Sequence, residues 1–255
     1  MKRNRIIWGV VSLIVLFTVA VSFGTFESFG QQDNARSKVT QAVTPSPEIR
    51  DTRDLSMYGS VNYSASPENA SSARFSTNKR YDNDGWVYKS VHPVTGGVGR
   101  ITEDPPPPVY PVDESELIVT GEVTSANAFL SNDRGCVYTE FTIRINELLK
   151  DNRSGKELLK TVIADREGGV VIYPNGQRVL YQSSDRGLPQ LGSKYLFFLR
   201  KKGSSPNYEV ISSYDITGER IYPMESGRDF EEFKTVSKTA FLETARNRVL
   251  SSRNQ

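Results

Sequence analysis

In VYTEFTIRINELLK, Val137–Lys150, apolar and polar positions alternate. Val137, Thr139, Phe141, Ile143 and Ile145 fall on one side of an extended chain, and Tyr138, Glu140, Thr142, Arg144 and Asn146 on the other. A period of two belongs to a strand with one face on a core. The spacing predicts Phe141, Ile143 and Ile145 facing inward and Glu140, Thr142 and Arg144 facing water. ELIVTGEVT (Glu116–Thr124) alternates in the same way, and the turn residues SNDRG (Ser131–Gly135) separate the two stretches. Further strands are predicted in LLKTVIAD (Leu158–Asp165), at Lys194–Arg200, at Asn207–Asp215 and in TGERIYPM (Thr217–Met224). GVVIYPNGQRVLY (Gly169–Tyr181) reads as a hairpin, with Asn175-Gly176 supplying the positive φ angles of a type I′ turn. Short strands punctuated by Gly, Asn and Pro predict a mainly β domain, a small antiparallel, OB-like barrel.

Beyond Met224 the period lengthens. Phe230, Phe233, Val236, Ala240, Phe241, Ala245 and Val249 trace a broad apolar face at helical spacing. Asp229, Glu231 and Glu232 stand near its start and Arg246, Arg248 and Arg253 near its end, as the helix dipole favours. One amphipathic helix over 225–255 is expected to pack on the barrel of 112–224. At the other end of the chain, Ile6–Gly24 carries no charge and follows Lys2, Arg3 and Arg5. At ~1.5 Å per residue it is long enough for a hydrocarbon core of ~30 Å. Residues 1–24 therefore read as an N-terminal transmembrane helix, a signal anchor with a cytoplasmic N-terminus and the rest outside. Ala20 and Ser22 also fit the small-residue pattern of a cleaved signal peptide, which would leave a secreted protein.

Residues 25–111 show neither period. Ser, Thr, Asn, Asp and Pro fill VTPSPE, SASPENASSARFSTN and TEDPPPPVYP. Too little apolar surface is available there to offset the entropy of ordering the chain. The segment is expected to be a disordered tether, stiffened into polyproline II at Pro105–Pro108, so that proteolysis would leave a core beginning near Pro111.

Composition removes several chemistries. Thirty-two Lys and Arg against 30 Asp and Glu give a net charge of +2, which offers no concentrated basic face for nucleic acid. The single His, His92, falls in the tether, so a histidine triad or a His/Cys zinc site within the barrel is excluded. The single Cys, Cys136, rules out an internal disulfide and reads as a small residue at a strand end. STNK (Ser76–Lys79) has Ser-x-x-Lys spacing without the companion KTG motif, TGGVGR lacks the phosphate-loop lysine, and DNDGW lacks the acidic residue that closes a calcium loop. Glu116, Glu122, Glu140 and Glu147 are the carboxylates available for paired hydrolytic work. The aromatic residues Tyr138, Tyr173, Tyr181 and Tyr195 fall in or beside predicted strands and are the candidate ligand-stacking surface.

Three stretches in order, SELIVTGEVTSANAF (Ser115–Phe129), YTEFTIRINELLK (Tyr138–Lys150) and LGSKYLFFLRK (Leu191–Lys201), resemble exported bacterial proteins of unknown function. Their arrangement is also similar to the netrin-like module of the tissue inhibitors of metalloproteinases, an OB-type barrel. The resemblance implies the barrel alone, because those inhibitors rely on an N-terminal Cys and a disulfide set that this chain lacks. The expected function is a membrane-tethered, exported, non-enzymatic binding or structural module without a cofactor. Its partner would be a protein or a cell-envelope glycan, with no nucleic acid. The alternatives are an exported carboxylate-based hydrolase of the cell envelope and an exported protein inhibitor.

Overall fold

Ten strands and three helices are formed among residues 54–65, 71–82, 98–100, 107–153, 159–183, 185–203 and 205–252, which the computed structural model describes. The strands are β1 Ser60–Asn62, β2 Val98–Arg100, β3 Leu117–Leu130, β4 Val137–Asp151, β5 Thr161–Glu167, β6 Gly169–Ile172, β7 Arg178–Ser183, β8 Lys194–Lys201, β9 Tyr208–Asp215 and β10 Tyr222–Pro223. The helices are α1 Ser72–Asn78, α2 Arg228–Glu231 and α3 Lys238–Ser252. The expected anchor Ile6–Gly24 and His92 lie outside the described residues. Within them no helix is long and apolar enough to cross a membrane.

The larger sheet has the order β10-β9-β5-β4-β3-β8, and β9 also pairs with β8, so the sheet curls until it partly closes on itself. β3 and β4 form its long antiparallel hairpin, with Val123 opposite Ile143 and Gly121 opposite Ile145. The closure between β5 and β9 is narrow and parallel, through Ala164↔Tyr208 and Asp165↔Glu209 alone. Inside lie Val119, Phe141, Ile143, Ala164, Tyr195, Phe197 and Leu199. Phe141 and Ile143 thus point inward as their spacing predicts, while Thr142 is half-buried and Arg144 exposed. A Cβ on Gly121 would stand 2.5 Å from Ile143 Cγ2 and 2.8 Å from the Arg144 carbonyl oxygen. Gly121→Ala is therefore expected to cost ~1–3 kcal/mol through overpacking against backbone, to be read from denaturant melts.

The second face of β8 and β9 is covered too. Leu196, Phe198, Tyr214 and Ile118 pack with Phe230, Phe241, Ala245 and Val249. The continuous run YLFFL follows from this arrangement, because a strand buried on both faces need not alternate. The helical region is broken, however. α2 and a 3-10 turn (Glu232–Thr235) end at Val236, which is extended at φ −78° and ψ 137°. α3 starts afresh beyond Ser237, whose hydroxyl accepts from the Ala240 amide at 3.4 Å. The single helix expected over 225–255 is thus corrected: β-branched Thr235 and Val236 disfavour continuation, and Ser237 offers a cap.

The smaller sheet, β1-β6-β7-β2, is built on the β6–β7 hairpin. The type I′ expectation fails there. Among the described non-glycine residues only Arg134 has positive φ, so Asn175 does not, and Gly176 alone is left-handed at +82°. Gly176 N–H donates to the Tyr173 carbonyl, closing the turn Tyr173–Gly176 with Pro174 second. Pro174, locked near −65°, fits the second position of a type I turn and fixes this choice.

Candidate functional site

Residues expected in the tether are built into the domain. β1 pairs in parallel with β6, Ser60 opposite Val170. α1 and the turn Lys79–Tyr81 lie against the outer face of β4 and β5. α1 begins at Ser71, whose hydroxyl caps the Arg74 amide, and it carries a polar docking face rather than an apolar one. Arg74 forks onto Glu140, with its second bond at 2.9 Å, and also bonds the Tyr138 hydroxyl. Arg80 forks onto Asp165 with two bonds of 3.0 Å, and the Tyr81 hydroxyl donates to the same carboxylate at 2.7 Å. The rings of Tyr81 and Tyr138 stack at 4.2 Å. Asp82 accepts from the Asn132 and Asp133 amides of the β3–β4 turn.

Burial sets the electrostatics of this face. Asp165 is fully buried, which pushes its carboxyl above the usual carboxylate range, opposed by the Tyr81 hydroxyl and the Arg80 guanidinium. Burial likewise raises the Tyr138 phenol, against Arg74. These groups are charge-matched to one another, as a buried interface within one chain requires.

A groove of about 800 Å³ lies at the neighbouring split between β5 and β9. Glu116, Arg153, Thr161, Ile163, Lys201 and Tyr208 are among the residues lining it. The split has a local cause. Continuing the β5–β9 register backwards from Ala164↔Tyr208 sets Val162 opposite Pro206, which has no N–H to donate. Lys201 Nζ donates to the carbonyls of Ser205 and Pro206 and sits 4.4 Å from the Tyr208 ring centre. Burial holds its ammonium below the ordinary lysine value, with Glu116 opposing. Arg153 forks onto Asp151 at 2.8 Å. Leu159 and Ile163 give the groove an apolar side, and Ile163 is 45% exposed. This size and mixture suit a ligand site.

The residues chosen from sequence are not gathered here. Tyr138 and Tyr181 belong to one buried cluster, with Tyr173 packed at its edge, and Tyr195 belongs to another. Tyr138, Tyr181 and Tyr195 are at most 1% exposed, so they offer no free ring face, and the expected stacking surface is corrected. The Tyr173 and Tyr181 hydroxyls bond each other at 2.6 Å. Tyr195 accepts from the Gln190 amide, and burial pushes its phenol up to about 12. Among the carboxylates, Glu122 pairs with Arg144, Glu140 with Arg74 and Glu147 with Arg246, on separate parts of the surface. Glu116 alone reaches the groove. Cys136 is buried and in no disulfide, and its Sγ donates to the Val137 carbonyl. Among the described residues no group of three or more His, Cys, Asp or Glu could hold a metal ion. Sequence reasoning missed Lys201, Arg153 and the turn at Pro206. The signal was Pro206 just before a strand that could not otherwise be an edge.

No protein-family model and no curated protein matches the chain.

Proposed function

We propose that the folded part of the chain is a non-enzymatic binding module of OB type, exported and held at the membrane by Ile6–Gly24. The observation that carries the binding reading is the groove at the β5–β9 split: its size, its mixture of apolar and polar lining, and a lysine that makes no ion pair among the described residues. The barrel reading is supported by strand order. β3, β4 and β5 form a meander, β9 runs parallel to β5, and β8 joins β9 back to β3, the partly open arrangement of an OB-type barrel. The three stretches that resemble the netrin-like module are the neighbouring strands β4, β3 and β8. Metalloprotease inhibition is not carried over, since the chain has one Cys and that one is buried.

An OB-type barrel commonly binds across its second and third strands. Here that face, on β4 and β5, is taken by α1 and Tyr81, so the ligand goes to the groove beside it. Hydrogen exchange of the full chain with candidate ligands tests this. Slower exchange confined to segments around Asn152–Arg153, Thr161–Ile163 and Lys201–Tyr208, with the ligand recovered unchanged, is the expected result. Chemical turnover of the ligand, or protection only elsewhere, would overturn it. For attachment, intact mass should retain Ile6–Gly24 in the membrane fraction. A mature protein beginning at Phe23 or Thr25 in a soluble exported fraction would rule out the anchor.

A further inference from the structure

β5 is bonded along its whole length on one edge and only in part on the other. β4 pairs with Thr161 through Glu167, whereas β9 reaches only Ala164 and Asp165. Thr161, Val162 and Ile163 therefore present an edge without a strand neighbour among the described residues, and that edge forms a wall of the groove. An open strand edge carries unpaired N–H and C=O groups in a row and is a template for another extended chain. β9 cannot supply that chain, because Pro206 stands where its ladder would continue. Across the groove, the Lys201 ammonium bonds two neutral carbonyls and has no ion pair among the described residues. Leu159 and Ile163 provide apolar contact between the two.

We infer that the groove takes an extended peptide from a partner protein, which adds as a strand to Thr161–Ile163 and sets a carboxylate side chain against Lys201. Main-chain bonds supply affinity in this mode and the alternate side chains supply selectivity. The carboxylate gives the Lys201 ammonium the direct ion pair that it lacks among the described residues, and an apolar residue beside it covers Ile163. Glu116, on the same lining, disfavours a second acidic residue. The inference rests on the binding-module reading above and names the ligand class for that same site.

An array of acetylated pentapeptides with Asp fixed at the centre and Val, Thr, Ile or Phe around it identifies a probe sequence, which is then titrated into the full chain. Binding should slow exchange of the Thr161–Ile163 amides. N-methylation of alternate peptide amides should weaken binding at least tenfold, because it removes main-chain donors without touching the protein. Asp→Asn in the peptide and Lys201→Met in the protein should each weaken it several-fold, and together no further. A parallel titration uses tetra-N-acetylchitotetraose. Protection of the groove by the sugar and not by any peptide overturns strand addition and leaves the binding module standing. Peptide binding indifferent to N-methylation also overturns it. Protection by neither probe overturns both readings.

Discussion

Arg80→Met is expected to destabilise the protein by ~3–5 kcal/mol, because it leaves the Asp165 carboxylate buried without its cation. Arg80 forks onto Asp165, which has no solvent-exposed surface, and also donates to Ser205 Oγ at 2.8 Å. The Tyr81 hydroxyl alone cannot compensate a full charge there. The deficit should depend on pH in a defined direction. Burial already raises the Asp165 pKa, and removing Arg80 raises it further. A carboxyl whose folded pKa lies above its unfolded value is best tolerated below the unfolded pKa and loses stability as pH rises through the folded one. The difference between wild type and R80M should be full at neutral pH and shrink as the solution is acidified. Asp165→Asn in the R80M background should recover part of the loss, since a neutral amide needs no counter-charge. Urea melts of wild type, R80M, D165N and the double variant from pH 4 to 8 give the cycle. A deficit under about 0.5 kcal/mol at neutral pH would place residues 71–82 outside the folded unit.

Phe141→Ala is expected to cost a further ~3–5 kcal/mol by itself, as a large side chain removed from a packed interior leaves a cavity. Phe141 is 1% exposed and lies among Val123, Ala164 and Phe197. Thr142→Ala, on the opposite face of the same strand, should cost less than about 0.5 kcal/mol. Tyr138→Ala should behave like the Phe141 variant although it shares the side of Thr142, because Tyr81 and Arg74 cover it. Equal, small costs at Tyr138 and Thr142 would contradict the docking of α1.

Where hydropathy carries the information, the fold was legible. Alternation at Phe141, Ile143 and Arg144 gave their facing correctly, and β4 to β9 were located to within a few residues. β1 and β2, however, fell in the expected tether, and Glu140, expected to face water, is held by Arg74 and Asn207. What was not legible has particular causes. Tyr138 lies on the outward parity and is buried, since a segment some sixty residues earlier covers it. That segment, SARFSTNKRY, docks by Arg74, Asn78 and Tyr81, spaced four and three residues apart on one face, with Arg80 beside them. Its contacts are ion pairs, hydrogen bonds, the stacked and buried Tyr81 ring and the Arg74 guanidinium over Phe129, so an apolar periodicity never arises, and a polar composition passes for a tether. The broken C-terminal helix had its signal in Val236-Ser237, a β-branched residue followed by a cap. The groove was invisible because it is made by a missing pairing. Pro206 stands just before β9 and keeps its ladder from reaching Thr161–Ile163 of β5, a fact about two strands more than forty residues apart.

Limited proteolysis of the full chain, read by native and denaturing mass spectrometry together, tests most directly whether the chain's own residues complete this domain. The resistant species should contain Leu55–Asp82 in complex with the partly closed sheet, whether or not the chain is nicked between 83 and 97, and should retain the melting transition of the uncut protein. A resistant core beginning near Pro111, free of Leu55–Asp82 and unchanged in stability, would contradict it.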